Sequence, residues 1–202
     1  MVYRIINRLE KYCFDVDISK SMVNEDKLNL LKNVFGAILK TLISNDWIGI
    51  VIFSTKADLY LPKMVRATKA NIENLIDYIK NLQVIGGTNY ADAFQAANDL
   101  LKNSFNQGSL SGCKTYLIFL TDGIPQTGIS EKSSLIQFID NLQYLKNSVV
   151  FSYILGSKPN VDIPKAISCL RKGYTETISN LNDLSTKLNS YFQTISIHMF
   201  IC

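Results

Sequence analysis

Three nearly continuous apolar runs, at residues 48–53, 115–120 and 149–155, constrain this chain more than any other feature. Strands take that composition when both faces of the sheet are covered, as happens to parallel strands flanked by helices. Between the runs the spacing changes to a helical period. Leu28, Leu31, Phe35, Ile38, Leu39 and Leu42 fall on one face of a helix expected over 24–44. Further helices are expected near 69–81, 90–104, 130–145 and 162–171, with a closing helix from about 181. Strands are expected at 11–17 and 173–177, and 57–61 reads as an antiparallel partner of 48–53 at the sheet edge. The alternation predicts a three-layer α/β fold, a doubly wound, mostly parallel, Rossmann-like sheet with one antiparallel edge strand.

There is no internal repeat, low-complexity tract or linker, so residues 1–202 read as one domain with its core at about 11–193. A hydrophobic content of 47% against 19% charged residues excludes a disordered chain. The net charge of +4 comes from scattered lysines and arginines without basic runs or aromatic interleaving, which argues against a nucleic-acid partner. No apolar run reaches the roughly 18 residues of a membrane helix, so direct membrane insertion is not expected. Arg4, Arg8, Glu10 and Lys11 break the apolar stretch a secretory leader would need, and no Asn-x-Ser/Thr sequon occurs. If the sequence is a whole protein, it is expected to be cytoplasmic. If it is excised from a longer chain, an extracellular or ectodomain origin fits equally.

The chemistry-bearing residues gather where strands are expected to end. Asp17-Ile18-Ser19-Lys20-Ser21 leaves the first strand, Thr88 lies in Gly86-Gly87-Thr88-Asn89, and Asp122 closes Phe119-Leu120-Thr121-Asp122-Gly123. Each residue alone is a common turn former or helix cap: Thr88 would suit the start of the helix near 90–104, and Asp122-Gly123 a turn. Together they offer two carboxylates and three hydroxyls, an oxygen-only set suited to a hard divalent cation such as Mg²⁺, Mn²⁺ or Ca²⁺. In open parallel sheets ligands bind beyond the carboxyl ends of strands where the winding reverses, which is where Asp17 and Asp122 are expected.

In this order and spacing the three segments resemble the metal-ion-dependent adhesion site of von Willebrand factor type A domains, over almost the whole chain from about Tyr12 to Phe192. The resemblance implies that Asp17, Ser19, Ser21, Thr88 and Asp122 hold Mg²⁺. Ser19 and Ser21 would be direct ligands, Thr88 a switchable one, and the two aspartates would act through water. It also implies a protein partner offering an Asp or Glu carboxylate. Lys20 stands where that family usually has a small residue; its ammonium either opposes the cation or swings outward toward an acidic partner. Asp15 is out of place in a central strand, and marks either a polar pocket or a less buried edge.

Leu42-Ile43-Ser44-Asn45-Asp46-Trp47, Cys113 and Cys169-Leu170-Arg171-Lys172-Gly173-Tyr174 are similar to the alpha-2-delta type within this family, found in calcium-channel accessory subunits and Cache-containing proteins. That likeness favours a Cys113–Cys169 disulfide and an ectodomain origin; free thiols are the alternative. Two other functions remain open. One is a scaffold of the same fold with a non-functional metal site. The other comes from Phe14-Asp15-Val16-Asp17-Ile18-Ser19, which looks like the nucleophile loop of haloacid-dehalogenase-like phosphatases, with Asp15 attacking and Asp17 as general acid. No nucleophile–base pair is otherwise evident, and the lone His198 sits in an apolar terminal stretch, so an enzyme is not expected.

Overall fold

The apolar runs form the middle of one mixed sheet. A computed structural model of the protein describes residues 10–105, 114–183 and 186–187. Its strands are β1 (Glu10–Asp17), β2 (Trp47–Phe53), β3 (Ala57–Leu59), β4 (Val65–Arg66), β5 (Lys114–Thr121), β6 (Ser148–Leu155) and β7 (Thr175–Ile178). The helices are α1 (Lys27–Leu39), α2 (Lys69–Lys80), α3 (Tyr90–Phe105), α4 (Lys132–Asp140) and α5 (Asp162–Leu170). The sheet runs β3-β2-β1-β5-β6-β7, with β4 also paired to β2. β1, β2, β5, β6 and β7 are mutually parallel, while β3 and β4 run antiparallel to β2.

Period-two alternation sends the side chains of each strand to two separate cores. Tyr12, Phe14 and Val16 of β1, with Ile118 of β5 and Phe151 of β6, join the residues of α1 and α2 on one face. Cys13 of β1, Val51 and Phe53 of β2 and Phe119 of β5 pack with α3, α4 and α5 on the other. All eight residues of β1 are buried, because it is flanked by β2 and β5 and covered on both faces.

The structure redraws several expectations. The helix expected at 24–44 is shorter: a 3-10 segment over Lys20–Asp26 precedes α1, with Glu25 and Asp26 in the left-handed region at φ 55° and 54°. The helix expected at 130–145 stops at Asp140, and a separate 3-10 turn covers Gln143–Leu145. Two short antiparallel strands, not one, pair with β2. Asp15 marks no edge, since β1 is central and the side chain is completely buried; its Oδ1 receives the Cys13 thiol at 3.7 Å while Oδ2 has no partner. Cys113, His198 and most of the closing helix lie outside the described residues; Cys169 is an exposed free thiol.

The winding reverses between β1 and β5. After β1 the chain moves outward to β2; it later returns to the opposite side of β1 to begin β5. The loops that leave β1 and β5 therefore meet on one rim.

Candidate functional site

Asp17 ends β1 with both carboxylate oxygens engaged. Oδ1 accepts the Ser19 backbone N–H at 2.8 Å, and Oδ2 accepts the Thr121 hydroxyl from the end of β5 at 2.6 Å. From Ser19 the contacts run onward: its hydroxyl lies 3.0 Å from that of Ser21, which donates to Asp122 Oδ1 at 2.8 Å. Because Ser21 gives its single proton to Asp122, Ser19 is the donor between the two serines. Four of the five expected residues thus form one connected set across the reversal. The Ser19 side chain caps no helix, so the local alternative for that residue falls away.

Thr88 reaches the same rim through its backbone. Its carbonyl accepts the Gln126 and Thr127 N–H groups at 2.8 and 3.1 Å, fastening its loop to the one after β5. The same loop is fastened to the one after β1 by Lys20 N–H to Gly86 O at 3.1 Å and Ile85 N–H to Ile18 O at 2.8 Å. The Thr88 hydroxyl makes no hydrogen bond to the other four among the described residues. Nor does it cap α3: the Asn89 side chain does, accepting the Asp92 N–H at 3.2 Å. Gly86 sits at φ +63°, and a Cβ there would stand 2.6 Å from the Thr55 hydroxyl that receives the Gly87 N–H, so the turn needs glycine.

Ser19, Thr88, Asp17 and Asp122 are all buried, so the two carboxylates carry their charge with little solvent. Burial pushes the Asp17 carboxyl up to about 6 against the opposing pull of hydrogen bonds from Thr121 and Ser19, and the Asp122 charge raises it further. A site that holds two carboxylates together under burial gains from a cation between them.

Three residues outside the expected five support this set: Tyr90 and Lys27, which sequence reasoning did not single out, and Thr121, which it read only within the strand-end motif and the phosphatase alternative. Tyr90, the first residue of α3, places its hydroxyl 3.0 Å from Thr121 Oγ1 and donates to the Gly123 carbonyl, bracing both ends of the turn that carries Asp122. Thr121 orients Asp17, as described. Lys27, from the start of α1, pairs with Asp122 Oδ2 at 2.9 Å, with the two side chains only 13% and 3% exposed. Tyr90 and Thr121 adjoin motif residues in sequence; nothing local marks Lys27. The concern over Lys20 transfers to it, because Lys20 is exposed and only its backbone N–H is tied to the site loops.

The donor chemistry fits a hard divalent ion. Carboxylate and hydroxyl oxygens converge, and among the described residues no group of three or more His, Cys, Asp or Glu forms a rival site. The phosphatase alternative does not fit: Asp15 has no exposed surface and cannot meet a phosphate, and Thr121, which would have to supply that family's second-motif hydroxyl, already donates to Asp17.

Comparison with known proteins agrees with the fold. A family model described as von Willebrand factor type A domain matches residues 13–124, more than half of the chain. Human inter-alpha-trypsin inhibitor heavy chain H6 is 27% identical over 189 residues, covering 91% of this chain and 14% of that protein. The chain spans less than a quarter of the length of the curated relatives it matches. A von Willebrand factor type A structure from Catenulispora acidiphila superposes with a TM-score of 0.75 at 16% identity, covering 92% of this chain and 42% of that one. Proximal thread matrix protein 1 from the mussel byssus, with a zinc-occupied metal-ion-dependent adhesion motif, gives 0.71 at 17% identity over 93% and 46%. These matches lend the alpha-2-delta likeness no support.

Proposed function

Because this chain belongs to the von Willebrand factor type A domain family, we propose that it is a binding module that holds Mg²⁺ or Mn²⁺ at Asp17, Ser19, Ser21, Thr88 and Asp122 and engages an acidic side chain of a protein partner. The observation that carries this reading is the connected oxygen set joining the loop after β1 to the loop after β5. When bound, the cation supplies a Lewis-acidic position that accepts a carboxylate oxygen from outside. The protein's own residues prepare that position. Thr121 and the Ser19 N–H orient Asp17, Ser21 orients Asp122, and Tyr90 braces the turn between them.

The surroundings suit a protein surface. Val23, Ile85 and Ile124 are 61%, 55% and 45% exposed, one on each of the three loops that carry the oxygen set. Exposed apolar residues beside a polar centre match the composition of binding faces. The mussel protein's zinc-occupied motif supports the metal assignment by analogy of fold. A second reading, a scaffold whose site is permanently neutralised, is favoured by one observation, the Lys27–Asp122 pair.

Calorimetric titration of Mg²⁺ and Mn²⁺ into wild type, Asp17→Ala and Asp122→Ala tests the proposal, with circular dichroism to confirm the fold. Saturable binding in wild type that both substitutions abolish is expected. On the Mn²⁺-loaded protein, acetate should displace a coordinated water and lower water-proton relaxivity. Binding that survives in both variants would sink the assignment.

A further inference from the structure

α1 begins in a way that does not serve the helix. Its first residue is Lys27, a cation at the positive end of the helix dipole, where acidic residues are favoured and none occurs in the first turn. The preceding Asp26 makes no side-chain cap bond, and Glu25 and Asp26 both occupy left-handed backbone that non-glycine residues adopt at a cost. Strain of this kind persists only where surrounding contacts impose it.

Those contacts lead to the metal site. The Lys27 ammonium meets Asp122 Oδ2 at 2.9 Å, on the same carboxylate whose other oxygen takes the Ser21 proton. Both Asp122 oxygens are therefore occupied, one of them by a positive charge. A second carboxylate lies beside the lysine. Glu25 Oε2 accepts the Ser157 N–H at 2.8 Å, which fixes it against the end of β6. Between Glu25 and Lys27 sits Gly156, at φ +121°. A Cβ there would fall 2.9 Å from Lys27 Cε, 3.6 Å from its Nζ and 3.5 Å from Glu25 Oε2. The bare glycine leaves the path between the two carboxylates open to the lysine tip.

We propose that Lys27 is a tethered counter-ion that stands in for the divalent cation on Asp122 and moves to Glu25 when the metal binds, so that loading the site is an exchange of one cation for another. The inference rests on the metal-site reading above. In the metal-free protein the ammonium keeps Asp122 compensated, and the strained Glu25-Asp26 segment holds the lysine root beside the site. Bound metal and ammonium repel at this range in a sheltered setting. The lysine thus lowers metal affinity and restricts occupancy to conditions where the ion is plentiful or a partner carboxylate adds its own attraction.

The test is a Mg²⁺ and Mn²⁺ titration at low ionic strength on wild type, Lys27→Met, Lys27→Gln, Lys27→Arg and Glu25→Gln, with melting temperatures measured with and without metal. Lys27→Met should bind Mg²⁺ more tightly by about tenfold or more, melt lower than wild type when metal-free, and gain more from added metal. Lys27→Gln keeps a donor for Asp122 and holds the loop should the methionine variant fail to fold; it should tighten binding likewise. Lys27→Arg retains the charge and should bind no more tightly than wild type. Glu25→Gln removes the second docking point and should weaken binding severalfold; unchanged affinity there overturns the Glu25 half of the exchange. If wild type binds metal and neither neutral Lys27 variant binds more tightly, the counter-ion role is overturned while the metal site stands. If no variant binds metal, both fail. Silence in wild type with binding in Lys27→Met supports both.

Discussion

Asp17 and Asp15 lie on one strand, point to the same face and are both fully buried, yet they answer to different demands. Asp17 is surrounded by donors; even so, burial pushes its carboxyl from the ordinary 3.8 to about 6. The folded protein therefore binds a proton that the unfolded chain has released across that window, and metal-free stability is highest below it and falls as pH rises through about 6. The loss is on the order of 2–3 kcal/mol. Urea unfolding at pH 4 and pH 7 should show Asp17→Asn with a smaller drop than wild type, and saturating Mg²⁺ should shrink the drop in wild type only. An equal drop in both proteins would assign the pH dependence elsewhere. Asp15 has no such set of donors: one oxygen lacks any partner and the other receives only a thiol. Asp15→Val, close in volume and matched to the surrounding core, should stabilise the protein by roughly 1–3 kcal/mol. Denaturant midpoints would show it, and metal affinity should be unchanged.

Elements end where tertiary contacts overrule local propensity, and that sets how much of this molecule was legible beforehand. Strands β2, β5 and β6 announced themselves because burial on both faces leaves a run of apolar residues that nothing else explains, whereas β1 carries four charged residues and was marked by the motif that ends it. That Asp17, Ser19, Ser21 and Asp122 meet on one rim was legible because hydroxyls and carboxylates at strand ends have a recognisable order, whereas the Thr88 hydroxyl makes no bond to them. The break before α1 was not, since Glu25 is held by Ser157, far along the chain. The stop of α4 at Asp140 was hidden for a similar reason: Arg171 donates to Ile139 O at 2.6 Å and Lys146 O at 3.3 Å, while Asn98 accepts the Tyr144 N–H at 2.9 Å. Lys27 belongs with these cases, because a four-carbon stem reveals its target only when the strands are in place. Arg171 fastens the ends of α4 and α5 with its guanidinium almost fully buried. Arg171→Leu should cost about 2–4 kcal/mol by stranding the carbonyls and emptying their donor. Thermal unfolding would measure it, and a loss below 1 kcal/mol would mean water replaces the arginine without penalty.

At the scale of the whole molecule, three loops from distant parts of the chain are joined by backbone hydrogen bonds before any ligand arrives. A ligand on that rim binds the folded state and not the unfolded one. Mg²⁺ at a hundred times its dissociation constant should therefore raise the unfolding free energy by about 2.7 kcal/mol. Urea titrations with and without the ion should show a higher midpoint with an unchanged slope. A changed slope would mean that the ion alters how much of the chain is structured.

The placement of β1 between β2 and β5 has a consequence for how the protein is made. During synthesis β1, β2 and the helices up to α3 emerge first, and they carry Asp17, Ser19, Ser21 and Thr88 without Asp122 or Thr121. A nascent chain stalled there lacks half the charge of the site and the hydroxyl that orients Asp17. On the proposed function the metal cannot serve as an early template: it would join only after β5 has left the ribosome and slotted in beside β1, so an occupied site would report that β5 is seated, while β6 and β7 have still to be added to its far side.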